Sequence, residues 1–236
     1  MTRFADNLVV ITGVGREEQV GDAVAHAFAA EGASLALLDL NADALNARAG
    51  ALRTAVARVS AYPCDLTDVN QITTVAEQVR AEFGRVDAFV HVAGGFALSG
   101  PIGDSDPAVF AKQIAINLTT AYVASRAFVP LLKDNTGSAV YFASATVLPG
   151  NATSGLAGYL AAKSGVVGLM RAIADESRPR GVRANAVAPI SIRTGDNLKA
   201  MGDNAKYVGR HAVADVVLYL ASPAARAITG QVIALA

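Results

Sequence analysis

The sequence predicts an α/β chain, doubly wound around a seven-stranded and mainly parallel sheet. Three observations predict it. Short apolar runs alternate with longer helical stretches along all 236 residues, several of those runs are apolar without interruption, and the first ends in a glycine-rich turn. Uninterrupted apolar strands are what a parallel sheet covered on both faces requires. Strand-helix alternation builds such a sheet by successive crossovers, and its ligands bind at the carboxyl ends of the strands.

The elements follow in order. "NLVVITG" from Asn7 is the first strand, and a helix over 21–31 follows its glycine turn. "ASLALLDL" from Ala33 ends at Asp39 and leads into a helix over 42–54. "RVSAYPCD" from Arg58 precedes a helix over 69–83, and "VDAFVHVAG" from Val86 precedes a long one over 107–129. "GSAVYFAS" from Gly137 leads to a helix over 158–177, "VRANAVAP" from Val182 to one over 212–221, and "QVIALA" from Gln231 closes the sheet. No Pro/Gly/Ser linker, charge block or repeat divides the chain, so residues 1–236 read as one domain.

Composition narrows the partners. The chain is 53% hydrophobic with no charge-free apolar run of spanning length, so the expectation is a large core or subunit contacts rather than a membrane. Twenty lysines and arginines balance twenty aspartates and glutamates, which gives no electrostatic reason to expect nucleic acid. A single cysteine excludes an internal disulfide, and no His/Cys cluster points to a metal. "MTRFADNLVVITG" enters a strand without the apolar region of a signal peptide, so a cytoplasmic location is expected.

The turn after the first strand reads "TGVGREEQVG", from Thr12 to Gly21. Gly13, Gly15 and Gly21 allow a tight turn and close backbone approach before a helix N-terminus, the setting for a pyrophosphate. Thr12, Arg16 and Val20 belong to the same loop. Asp39, at the end of the second strand, is placed to accept hydrogen bonds from ribose hydroxyls and to repel a 2′-phosphate. It fits equally as the N-cap of the next helix. Arg16 is the opposing cue: it can pair with a 2′-phosphate or simply be solvated. NAD is therefore expected ahead of NADP.

"AGYLAAKSGVVGLMRAIADES" sets Tyr159 and Lys163 four residues apart, on one face of a helix. A lysine beside a tyrosine favours the phenolate and makes the phenol usable as a proton donor and acceptor.

With these residues in view, the chain resembles the short-chain dehydrogenase/reductase family, of the YxxxK type, over essentially its full length. "TGVGREEQVG" stands at that family's TGxxxGxG loop, Asp65 in "CDLTD" at its adenine-contacting aspartate, and "HVAG" at its NNAG motif. Asn117, Ser144, Tyr159 and Lys163 match its Asn-Ser-Tyr-Lys tetrad, and "NAVAPISIRT" its segment flanking the nicotinamide. The resemblance implies a Rossmann fold and an NAD(P)-dependent oxidoreductase interconverting a small carbonyl and a secondary alcohol. It implies that Tyr159 exchanges the proton, Ser144 holds the substrate oxygen, Lys163 binds ribose and depresses the tyrosine pKa, and Asn117 supports a relay water. Cofactor contacts are implied at Asp65, Leu66, Ala93, Gly94, Pro189, Ile192 and Thr194, and a homo-tetramer or homo-dimer is implied.

Departures bear on the substrate. The loop is two residues longer than usual and Gln19 replaces its middle glycine; that length and "IRT" at 192–194 resemble enoyl-acyl-carrier-protein reductases, whose lysine lies further from the tyrosine. His91 and Val92 replace the two asparagines of NNAG, which is expected to weaken a contact that stabilises the strand. A substrate lid is expected over 195–210, with Gly195, Gly202 and Gly209 as hinges and Leu198, Met201 and Tyr207 as apolar lining. Phe96, Leu98, Thr146, Val147 and Leu148 are expected to face the same cleft, and Arg193 is a possible carboxylate clamp. A compact apolar ketone or a 3-oxoacyl compound fits this best; an enoyl thioester, or an idle dinucleotide-binding scaffold, are the alternatives.

Overall fold

The computed structural model describes residues 2–53 and 58–236. Thr54, expected to end the second helix, lies outside them. The elements run β1 (Leu8–Thr12), α1 (Val20–Ala30), β2 (Ser34–Asp39), α2 (Ala42–Leu52), β3 (Val59–Pro63), α3 (Val69–Phe83) and β4 (Ala88–His91). Then come α4 (Pro107–Gln113), α5 (Thr120–Phe128), β5 (Ser138–Phe142), α6 (Ala157–Glu176) and β6 (Arg183–Pro189). The short pair β7 (Ile192–Arg193) and β8 (Val208–Gly209) flanks α7 (Gly195–Met201), and α8 (Arg210–Ala221) and β9 (Val232–Leu235) finish the chain.

Seven strands form one sheet in the order β3-β2-β1-β4-β5-β6-β9, and every neighbouring pair is parallel. The sheet thus has the seven strands and the parallel pairing that the sequence predicts. Strand residues alternate between two cores, as a period of two requires. Val9 and Ile11 pack with Val24 and Phe28 of α1, Leu45 of α2 and Val217 of α8. Leu8 and Val10 face the other way, toward Ile72 of α3, Phe128 of α5 and Met170 of α6. The strand order reverses between β1 and β4, and that switch point is where such folds open a crevice.

Where the sequence predicts one helix over 107–129, the structure has three joined segments. Between α4 and α5, Ile114–Thr119 widens into a π-helix, and the Thr120 N–H reaches back five residues to the Ala115 carbonyl. Such widened turns re-aim side chains at functional positions. The whole stretch Pro107–Leu131 is long and apolar enough to cross a membrane by composition, yet Ala121, Ala124 and Phe128 are buried against the sheet.

Candidate active site

Close contacts explain the glycines of the first turn. Gly13 has φ +77°, and a Cβ there would stand 2.7 Å from the Ala93 backbone. A Cβ on Gly21 would collide with the Gly13 carbonyl oxygen, and one on Gly15 would lie 2.7 Å from the Asp39 carboxyl carbon. Asn41, Asp68, Asp106 and Thr194 cap α2, α3, α4 and α7 with side-chain acceptors, whereas Gln19 gives α1 no such bond. The first turn of α1 thus offers N–H groups to an anion.

The extra loop residues are tied to three separate elements. Arg16 pairs with Asp196 of α7, Glu17 lies 3.3 Å from Arg48 of α2, and Glu18 lies 3.9 Å from Arg210 of α8. Arg16 is thus engaged by Asp196 while its side chain stays largely exposed. Asp39 accepts from the Gly15 N–H at 2.8 Å and from the Asn41 N–H at 3.1 Å. The N-cap of α2 is Asn41, which accepts from the Ala44 N–H at 3.0 Å, so the capping alternative for Asp39 does not hold. Asp65 accepts from both the N–H and the hydroxyl of Thr67.

A cavity of about 320 Å³ opens at the switch point. Gly13, Arg16, Val20, Gly21, Asp39, Asp65, Leu66, Ala93 and Gly94, all expected to hold a dinucleotide, line it. Gln19, Leu40, Thr67, Val92, Ile116 and Thr120 line it too and were not expected. For Ile116 and Thr120 the signal was their placement beside Asn117 on the same helix. Pro189, Ile192 and Thr194 do not line this cavity; they stand at and just beyond the end of β6.

Thr12 serves the cavity from beneath. Its Oγ1 lies 3.0 Å from His91 Nδ1 and accepts from the Ala93 N–H, while His91 Nε2 lies 3.4 Å from Thr120 Oγ1. Thr120 donates its own proton to the Ile116 carbonyl. That fixes the tautomer: Nε2 carries the proton and Nδ1 accepts. Burial, then the charge of Lys163, pushes the His91 pKa down to about 3, so the ring is neutral. Contrary to the expectation for this position, His91 does not weaken the strand contact. It bridges β1 to the start of α5, because an imidazole has a nitrogen on each side.

The π-helix places Asn117 against the chain leaving β4. Its Nδ2 donates to the Gly95 carbonyl at 3.0 Å and its Oδ1 accepts from the Gly95 N–H at 3.1 Å. A Cβ on Gly94 would stand 2.6 Å from Asn117 Oδ1 and 3.4 Å from Lys163 Nζ, so these three residues converge. Lys163 is buried and donates to the Phe142 carbonyl at 2.8 Å. Its ammonium is 5.9 Å from the centre of the Tyr159 ring. Burial lowers the Lys163 pKa to about 8 and raises that of Tyr159, against which a hydrogen bond with Ser144 acts in the opposite direction. The expected lysine-depressed phenol is thus not the arrangement found. The ammonium is spent on a carbonyl, and desolvation governs the phenol.

Ser144 caps a short 3₁₀ turn, Ala145–Val147, and Phe96 meets the Tyr159 ring edge-on with centroids 5.0 Å apart. Phe96 and Leu98 are 62% and 64% exposed, which leaves both open to a ligand. Val147 and Leu148 are half-buried and pack on the core behind Ser144. The lid segment is structured. Thr194 caps α7, β7 pairs with β8, and Tyr207 donates to the Gly202 carbonyl at 2.7 Å. Tyr207 thus closes the end of α7 instead of lining the cleft. Arg193, the carboxylate-clamp candidate, pairs with Asp203 at 3.0 Å on the exposed surface. Leu198 is half-buried and Met201 is 51% exposed, on the same helix as Asp196.

Residues 13–235 match a family model described as "Enoyl-(Acyl carrier protein) reductase". The chain is 32% identical over 240 residues to an uncharacterised short-chain type dehydrogenase/reductase of Sinorhizobium fredii, covering 95% of this chain and 93% of that one. It is 36% identical over 195 residues to levodione reductase of Leifsonia aquatica, covering 82% and 72%. A solved levodione reductase superposes with a TM-score of 0.88 at 30% identity over 98% of this chain and 96% of that one. A short-chain type dehydrogenase/reductase structure from Mycobacterium ulcerans gives 0.89 at 28% identity, over 98% and 88%.

Proposed function

Because the chain belongs to the short-chain dehydrogenase/reductase family and is an oxidoreductase, we propose that it interconverts a small carbonyl compound and a secondary alcohol. One arrangement carries the reading: Gly94 of the cavity wall converges with Asn117 of the π-helix and with Lys163, and Tyr159 lies one turn before Lys163 on α6, in hydrogen-bond partnership with Ser144. The glycines that a Cβ would obstruct, and the uncapped start of α1, fit a dinucleotide. In this reading the α1 amides take its pyrophosphate, Asp39 the adenosine ribose, Asp65 and Leu66 the adenine, and Lys163 the nicotinamide ribose. Pro189, Ile192 and Thr194 flank the nicotinamide.

A nicotinamide held by these residues would supply a hydride to the carbonyl carbon in reduction and take one from the alcohol carbon in oxidation. In reduction the Tyr159 phenol gives its proton to the substrate oxygen, and the Ser144 hydroxyl donates to that oxygen as charge develops on it. Lys163, which donates to the Phe142 carbonyl in this structure, has further N–H donors with which it would hold the nicotinamide ribose. Asn117 keeps Gly94 and Gly95 in place, so the wall beside Lys163 does not shift. NAD is the favoured cofactor, supported by the Asp39 carboxylate and by the engagement of Arg16 with Asp196.

The exposed Phe96 against Tyr159, together with the apolar Leu198 and Met201 that α7 offers, favours a compact apolar ketone or a 3-oxoacyl compound. The enoyl description of the family model names a second reading, which the four-residue Tyr159–Lys163 spacing disfavours. Exposed Phe110 and Tyr122 on the helices before and after the π-segment support a homo-tetramer or homo-dimer. The test is cofactor consumption against ketones, alcohols, 3-oxoacyl and enoyl thioesters. Turnover of the enoyl compounds alone would transfer the assignment to the second reading.

A further inference from the structure

Thr146 lies two residues beyond Ser144, and the sequence places it among the substrate contacts. In the structure it addresses Ser144 instead. Its backbone N–H donates to Ser144 Oγ at 3.3 Å and its hydroxyl donates to the same oxygen at 3.0 Å. A serine hydroxyl accepts two hydrogen bonds and donates one. Both acceptor positions of Ser144 are therefore filled by one neighbour, and Ser144 itself is buried. The one proton left on Ser144 has to be given away from Thr146, and the Tyr159 phenol is the group whose ionisation Ser144 favours.

We propose that Thr146 is a positioning residue that fixes the Ser144 hydroxyl as an outward donor, toward the Tyr159 oxygen and the substrate oxygen beside it. This rests on the carbonyl-alcohol reading of the site, but its geometry is independent of which carbonyl is used. Without the Thr146 hydroxyl, Ser144 regains an acceptor position. It can then accept a hydrogen bond from the phenol O–H rather than donate one, which stabilises the neutral phenol and removes a donor from the developing oxyanion. The opposing influence of Ser144 on the buried phenol agrees with a donating serine. The local turn survives the loss, since the Thr146 N–H remains bonded to Ser144.

The experiment compares Thr146→Val, which keeps shape and loses the hydroxyl, with Thr146→Ser, which restores it. The first readout needs no substrate: near-ultraviolet tyrosinate absorbance against pH, taken as the difference from Tyr159→Phe. Thr146→Val should move the Tyr159 ionisation to higher pH, and Thr146→Ser should return it to the wild-type position. The second is steady-state kinetics, where Thr146→Val should lower kcat on the order of tenfold with KM changed less than about twofold. Thr146→Ala makes the same cut and carries the same expectation if the valine variant does not fold. A Tyr159 ionisation that stays in place, or moves to lower pH, overturns the proposal; the latter means that Ser144 donates to Thr146. Wild-type inactivity on every carbonyl and alcohol would sink the functional reading, while the titration would still decide the role of Thr146.

Discussion

Replacing Lys163 by methionine should make the protein more stable while removing its activity. Burial lowers the lysine from 10.5 to about 8. At about 1.4 kcal/mol per unit, the native state bears roughly 3 kcal/mol for keeping this ammonium charged at neutral pH. Methionine fills similar space and has no charge, but it abandons the Phe142 carbonyl, which costs about 1 kcal/mol. The net gain of about 2 kcal/mol corresponds to a Tm higher by roughly 4–8 °C for a chain of this size. The sign has a pH signature. Below about pH 8 both folded and unfolded chains hold the proton and the gain is complete. From there to 10.5 the unfolded chain binds more protons, so wild-type stability rises with pH and the difference closes. Differential scanning calorimetry at fixed protein concentration, repeated across that range, measures it. A variant less stable than wild type, or a gain that ignores pH, would refute the reasoning.

Other expectations follow from the same geometry. Asp39→Ala should weaken NAD about tenfold and narrow the gap to NADP, read by isothermal titration of each cofactor. Asp196→Ala frees Arg16 and should tighten NADP severalfold with NAD little changed; equal effects on both would remove Arg16 from the argument. His91 is neutral when folded, with a pKa of about 3 against an ordinary 6.5, so the unfolded chain binds the extra proton as pH falls between those values. Stability should drop there by about 1.4 kcal/mol per unit. His91→Gln should flatten that slope in thermal melts. Light scattering should give a dimer or tetramer that Tyr122→Glu dissociates, whereas a monomeric wild type would exclude the assembly.

The sheet was legible because its central strands are buried from both sides: in β1, Val9 and Ile11 serve one core, Leu8 and Val10 the other, and no polar residue interrupts that run. Gly13 and Gly21 were legible for a related reason, since a side chain at either meets the backbone. The π-helix was not, because periods of 3.6 and slightly more leave nearly the same apolar pattern over six residues. The partners of Arg16, Glu17 and Glu18 lie at Asp196, Arg48 and Arg210, and local pattern is silent on contacts that distant. His91 looked like a lost contact because only the fold brings Thr12 and Thr120 to its two nitrogens. The lid glycines read as hinges, yet Gly195 begins a helix that Thr194 caps. The Tyr159–Lys163 pair was visible from spacing, but its electrostatics were not, since they depend on burial and on the Phe142 carbonyl.

The central claim is that Tyr159 delivers the proton in a nicotinamide-dependent carbonyl reduction. Its most direct measurement is turnover of the best ketone from the cofactor-consumption screen by wild type and by Tyr159→Phe, with NAD(H) affinity measured on both. Loss of the phenol should cut kcat by about a hundredfold or more, with cofactor affinity changed less than about twofold. A Tyr159→Phe enzyme that reduces the ketone at the wild-type rate would contradict the account.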